Sequence, residues 1–207
     1  MRIYFIFAIF QMFAWTSAAQ TTNSPPQIKR ILVLGDSLSE GFGVSQKEAF
    51  PAQLEVLLLQ KKYAVKIINA GSSGSTSASA MGRIKWHLKA KPFLIVLALG
   101  GNDGLRGINL EATEKNLGQT IELAQKNGIK VLLAGMKLPY NYGKDYRTQF
   151  ERLFNSLVKK YKTGYVPFLL KGVGGVKSLN LPDGIHPNEQ GHRKIAENLV
   201  PFIEAYL

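Results

Sequence analysis

The chain has 207 residues, 45% of them hydrophobic and 19% charged, which suits one globular domain and excludes both a disordered chain and two full enzyme domains. It has no cysteine, so disulfides, thiolate metal centres and a cysteine nucleophile are excluded. Lys and Arg number 26 against 14 Asp and Glu, a net charge of +12 that favours anionic partners and says nothing about fold.

Arg2 opens an apolar run, Ile3–Phe10, which is interrupted at Gln11 and closes on the small residues Ser17-Ala18-Ala19. A positive start, a short apolar core and a small-x-small end predict a secretory signal over residues 1–19, cleaved near Ala19. The run is too short and too interrupted for a comfortable membrane span. The expectation is an exported protein, periplasmic or secreted. Residues 20–28, with Pro25-Pro26, read as a flexible leader, and residues 29–207 as the folded domain.

Within that domain, aliphatic runs of strand length alternate with amphipathic stretches. Ile31–Leu34, Val65–Ile68, Phe93–Leu99 and Ile129–Ala134 are the clear strands, and Tyr165–Phe168 is a weaker fifth. None shows sustained polar–apolar alternation, as expected for strands covered on both faces. Glu48–Lys62, Ala78–Ala90, Leu110–Asn127, Lys144–Tyr161 and Asn188–Tyr206 carry apolar residues at three- and four-residue spacing and predict helices. Strand–helix alternation implies right-handed crossovers and an α/β fold with a parallel sheet between two helical layers. In such sheets the working groups gather at the carboxyl ends of the strands.

Four segments fall there. Gly35-Asp36-Ser37-Leu38-Ser39 follows the first strand, and Asn69-Ala70-Gly71-Ser72-Ser73-Gly74 follows the second. Gly100-Gly101-Asn102-Asp103 follows the third, and Asp183-Gly184-Ile185-His186-Pro187 comes after the last. Taken singly, each could be only a turn or a helix cap. Together they supply a nucleophile, a base and its orienting carboxylate. A serine hydroxyl needs a base to take its proton. His186 can be that base for Ser37, and Asp183, three residues earlier, can set its tautomer. The backbone N–H groups of Ser37 and Gly74 and the Asn102 amide can donate to a tetrahedral oxyanion.

These segments resemble the SGNH (GDSL) hydrolase superfamily, and more closely the bacterial periplasmic thioesterase I, lysophospholipase and arylesterase group. The likeness runs from Ile31 to the C-terminus. It is most specific at Gly35–Ser39, at Gly100–Gly107, at Leu138-Pro139 with Asn141-Tyr142-Gly143, and at Asp183–Pro187. It implies a flavodoxin-like three-layer α/β/α sandwich of about five parallel strands. Ser37, Asp183 and His186 match its catalytic residues, and Ser37, Gly74 and Asn102 its oxyanion donors. Gly104, Leu105 and Ile108 match a mobile substrate loop, with Pro139 and Tyr140 on another wall of the acyl site. Two positions depart from the group. Ser75 stands where Asp or Glu is usual and bears on how the oxyanion loop is held. Glu40 stands where a small residue is common and would repel acidic substrates such as a coenzyme A ester.

The remaining features carry less. Three scattered histidines offer no metal constellation, and neither a dinucleotide fingerprint nor a P-loop is complete. Asp36 is expected to hold its own turn, and His87 and His192 to lie at the surface. The lysines lack the aromatic interleaving of a nucleic-acid platform. The expectation is a monomeric serine esterase, needing no cofactor and no metal, for a small acyl ester or thioester such as a lysophospholipid. Peripheral contact with anionic membranes is expected, and nucleic-acid binding is not. The alternatives are a carbohydrate O-acetyl esterase and a non-enzymatic binding module on the same fold.

Overall fold

The computed structural model describes residues 27–207; the expected signal segment and most of the leader lie outside the described residues. Five parallel strands form one sheet in the order β2-β1-β3-β4-β5. They are β1 (Lys29–Gly35), β2 (Val65–Gly71), β3 (Leu94–Ala98), β4 (Lys130–Ala134) and β5 (Gly164–Val166). β3 lies in the middle, and all five of its residues are buried. Edge strand β2 alternates buried and exposed positions at its start. The fifth strand is shorter than expected and begins one residue earlier, because only three of its residues pair with β4.

Seven α-helices complete the described chain: α1 (Ser37–Glu40), α2 (Phe50–Gln60), α3 (Ala80–His87), α4 (Gly101–Leu105), α5 (Leu110–Lys126), α6 (Lys144–Tyr161) and α7 (Glu189–Glu204). Right-handed crossovers dictate the layers. β1 to β2 runs one way along the sheet, and β2 to β5 runs the other. α2 therefore covers one face together with α7, and α3, α5 and α6 cover the opposite face. The core fills both interfaces. Ile31, Leu34, Ile95 and Leu97 come from the strands, and Leu54, Leu117, Phe150 and Ile195 come from the helices.

Chain direction along the sheet reverses between β1 and β3, so the loops leaving these two strands diverge. A crevice opens at their carboxyl ends, where doubly wound sheets bind ligands. Among the described residues no helix is long and apolar enough to cross a membrane.

Candidate active site

Ser37 is the first residue of α1, directly after β1. Asp36 caps this short helix, its Oδ1 accepting the Leu38 N–H at 3.0 Å. The expectation that Asp36 holds its own turn is met. Asp36 is 2% exposed, and burial pushes its pKa up to about 6, against the hydrogen bond from Leu38 N–H, the imidazole of His186 when it is protonated, and the guanidinium of Arg83.

His186 reaches Ser37 from the far end of the chain. The 181–187 loop closes on itself through Leu181 N–H to His186 O at 2.7 Å. α7 then starts at an Asn188 cap, whose side chain accepts the Gly191 N–H at 3.1 Å. Asp183 Oδ1 accepts the backbone N–H groups of Ile185 and His186 at 2.9 and 3.0 Å. Its Oδ2 lies 2.8 Å from His186 Nδ1, and His186 Nε2 lies 2.9 Å from Ser37 Oγ. Desolvation raises the pKa of Asp183, but these hydrogen bonds and the adjacent ring more than offset it and hold the carboxyl below its ordinary range. With Asp183 ionised, Nδ1 keeps its proton and Nε2 presents a lone pair to the serine hydroxyl. The Phe42 ring packs 4.5 Å from the imidazole, centroid to centroid.

The loop after β2 brings Ser75, the residue after Gly74, to Asn102. Gly74 has φ +74°, a left-handed conformation that glycine adopts without strain. Asn102, on α4, donates one amide N–H to Ser75 O at 3.0 Å. Its second N–H remains for another acceptor. Next to it, Asp103 is buried and accepts the Ser77 N–H at 2.9 Å and the Ser77 hydroxyl at 2.6 Å. Arg83, on α3, donates to Gly35 O at 2.8 Å and also to Ala70 O, tying together the ends of β1 and β2.

A cavity of about 480 Å³ opens beside Ser37 and His186. Leu105, Met136, Leu138, Phe168 and Leu170 make its walls apolar, and Lys137 and Arg147 add cations. Of the residues expected to contact substrate, Leu105, Pro139 and Tyr140 line this cavity. Gly104 lies behind it: its carbonyl accepts the Tyr146 hydroxyl, and the space at its Cα is filled by Phe150 and Leu138. Ile108 sits at the end of the same loop, its N–H on Asp103 O at 3.0 Å.

One expectation is overturned. His192 is not at the surface but fully buried between α2 and α7. Its Nδ1 accepts the Phe50 N–H at 3.2 Å. Burial, with a further push from His186 when that ring is protonated, takes its pKa down to about 4. Its spacing from His186 showed only that the two do not share a helical face. The contributions of Asp103 and Arg83 were not legible either, since a buried carboxylate or guanidinium looks like any other charge in sequence.

The fold is a three-layer α/β/α sandwich with a crevice at the carboxyl ends of β1 and β3. The profile of the GDSL-like lipase/acylhydrolase family matches residues 33–194. Esterase TesA of Pseudomonas aeruginosa is 39% identical over 178 residues, 86% of this chain and 89% of its own length. Thioesterase 1/protease 1/lysophospholipase L1 of Escherichia coli K12 is 36% identical over 170 residues, 81% of this chain and 79% of its own. The crystal structure of TesA superposes with a TM-score of 0.84 at 38% identity, covering 86% of this chain and all of that one. The chain belongs to the GDSL-like lipase/acylhydrolase family and is an ester hydrolase.

Proposed function

We propose that Ser37, His186 and Asp183 hydrolyse small acyl esters and thioesters through an acyl-enzyme. The observation that carries this reading is the unbroken chain of contacts from Asp183 Oδ2 through the imidazole to Ser37 Oγ, at 2.8 and 2.9 Å. His186 Nε2 takes the hydroxyl proton as Oγ attacks the acyl carbon. The carbonyl oxygen becomes an oxyanion facing the N–H groups of Ser37 and Gly74 and the Asn102 amide. The C–O or C–S bond to the leaving group then breaks, and the alcohol or thiol departs with the proton from His186. Water, deprotonated by the same imidazole, attacks the acyl-enzyme and releases the acid and Ser37. Ionised Asp183 stabilises the imidazolium at each step.

The apolar walls suit an acyl chain longer than acetyl. Each buried methylene contributes about 0.8 kcal/mol, roughly a fourfold gain in kcat/KM while the chain still finds wall to cover. Arg147, and Lys137 although it pairs with Glu151 at 3.3 Å, also line the cavity and suit a substrate with a phosphate, such as a lysophospholipid, presented at an anionic membrane surface. The reading includes export: secreted enzyme is expected to begin at Gln20.

The test is hydrolysis of p-nitrophenyl esters from acetate to octanoate, of the matching thioesters and of a lysophospholipid, by wild type and Ser37→Ala. Activity should rise with chain length over the first members and be abolished in the variant. An equally active Ser37→Ala would defeat the mechanism, and a sharp optimum at acetate would favour a sugar O-acetyl esterase.

A further inference from the structure

Glu40 ends α1, the four-residue helix that begins with Ser37. Its side chain turns toward the loop after β2. Glu40 Oε2 accepts the Ser73 backbone N–H at 2.7 Å and the Ser73 hydroxyl. Among the described residues the Glu40 carboxylate forms no ion pair, and both of its side-chain hydrogen bonds are with Ser73, immediately before Gly74. The backbones are in contact as well. Asn69 Nδ2 donates to Ser39 O at 2.8 Å, and a side chain on Gly71 would collide with the backbone of Ser39 and Glu40.

The two halves of this loop are held differently. The later half is anchored to α4: Ser75 O accepts from Asn102, and Ser77 is bound to Asp103. The earlier half has one backbone tie to β1, Ser72 N–H to Gly35 O at 3.3 Å. A turn bond within the loop, Ser75 N–H to Ser72 O at 3.2 Å, spans Gly74, and Glu40 adds the tie from α1 to Ser73. Its carboxylate joins the helix that carries Ser37 to the residue that precedes Gly74. An oxyanion donor contributes in proportion to how well its position relative to the nucleophile is held before reaction.

We infer that Glu40 is a positioning residue for the oxyanion site, its carboxylate holding Ser73 so that the Gly74 N–H keeps a fixed place relative to Ser37 Oγ. The inference rests on the assignment of Ser37 and Gly74 proposed above. It also links the two departures from the related group: where Ser75 brings no carboxylate to the loop, Glu40 brings one from the other side.

The experiment compares Glu40→Ala, Glu40→Met, Glu40→Gln and Ser73→Ala with wild type on p-nitrophenyl butyrate, and measures inhibition by butylboronic acid, which forms a tetrahedral adduct with an active serine. Alanine and methionine, which cannot accept a hydrogen bond, should lower kcat about tenfold with KM within about twofold, and should weaken the boronic acid by the same factor as kcat/KM. Glutamine keeps an acceptor oxygen and should stay within about threefold of wild type. Ser73→Ala keeps the backbone N–H and should fall between, and adding Glu40→Ala to it should cost no more than Glu40→Ala alone. Unchanged kcat in Glu40→Ala or Glu40→Met would overturn the inference, as would a loss confined to KM. Glutamine falling as far as alanine would also overturn it, since charge rather than placement would then matter. Ser37→Ala is run alongside. If it retains activity the parent reading fails, whereas an inactive Ser37→Ala beside unimpaired Glu40 variants rejects this inference alone.

Discussion

The Asn102 amide shows how a single side chain is held for the oxyanion role proposed for it. One of its N–H groups is engaged by Ser75 O at 3.0 Å, which fixes the plane of the amide and aims the other. A donor held this way needs no reorganisation when charge develops on the substrate. Asn102→Ala is therefore expected to lower kcat by about a hundredfold or more while KM changes only a few-fold. Steady-state kinetics on p-nitrophenyl butyrate check this, and a defect confined to KM would contradict the assignment. Asn102 could be proposed as a donor from sequence because the Gly-Gly-Asn-Asp segment follows an aliphatic run. Its acceptor could not be, because Ser75 lies 27 residues away and the two meet only when β2 and β3 are both in the sheet.

At the scale of elements, short pieces of chain are positioned by contacts rather than by their own propensity. α1 and α4 have four and five residues, too few for an independent helix in water. They contain no periodic apolar stripe, and sequence patterning did not predict them. Each exists because its ends are held. Asp36 caps α1, and Gly100, at φ +110°, turns the chain into α4. Asp103 then ties α4 to the start of the α3 segment through Ser77, with Thr113 on α5 as a further donor at 3.2 Å. Ser77→Ala removes the 2.6 Å donor from a carboxylate that is 1% exposed. The expected cost is about 1–3 kcal/mol of stability, read from the midpoint of urea unfolding at constant m. A variant as stable as wild type would show that Asp103 does not depend on that hydroxyl.

For the whole molecule, two buried groups give stability opposite dependences on pH. Asp36 has its pKa raised from 3.8 to about 6, so the folded state binds more protons than the unfolded one in that interval. Its burden on stability is fully present above pH 6 and is relieved as pH falls toward 4, by about 3 kcal/mol. His192 has its pKa lowered from 6.5 to about 4, so here the unfolded state binds more protons. Its contribution is fully present above pH 6.5 and is lost as pH falls toward 4, also by about 3 kcal/mol. The two act in opposite directions between pH 4 and 6.5, so the relief at Asp36 offsets part of the loss at His192. Asp36→Asn keeps an oxygen for the Leu38 N–H and removes one of the pair. It should be more stable than wild type at pH 8, and should lose about 3 kcal/mol on acidification from pH 6.5 to 4. Urea melts across that range test it, and a variant whose pH profile parallels wild type would refute the compensation.

The aliphatic runs, the helical stripes between them and the residues that follow each run were readable in order along the chain. They led to the parallel sheet, the layer arrangement and the family, because strand burial and crossover handedness leave few alternatives. The proposed site residues Ser37 and Asn102 could be singled out for the same reason: a strand end is a local feature, and its position in the sheet follows from topology. Asp183 and His186, well past the last strand, were singled out by their own three-residue spacing. Contacts between side chains that are far apart in sequence were not readable. Whether Glu40 would face solvent or Ser73, whether His192 would be exposed or buried against Phe50, and which carboxylate would meet Ser77 depended on how separate elements packed. A charged or polar residue carries no mark of its partner until burial excludes water and leaves it one.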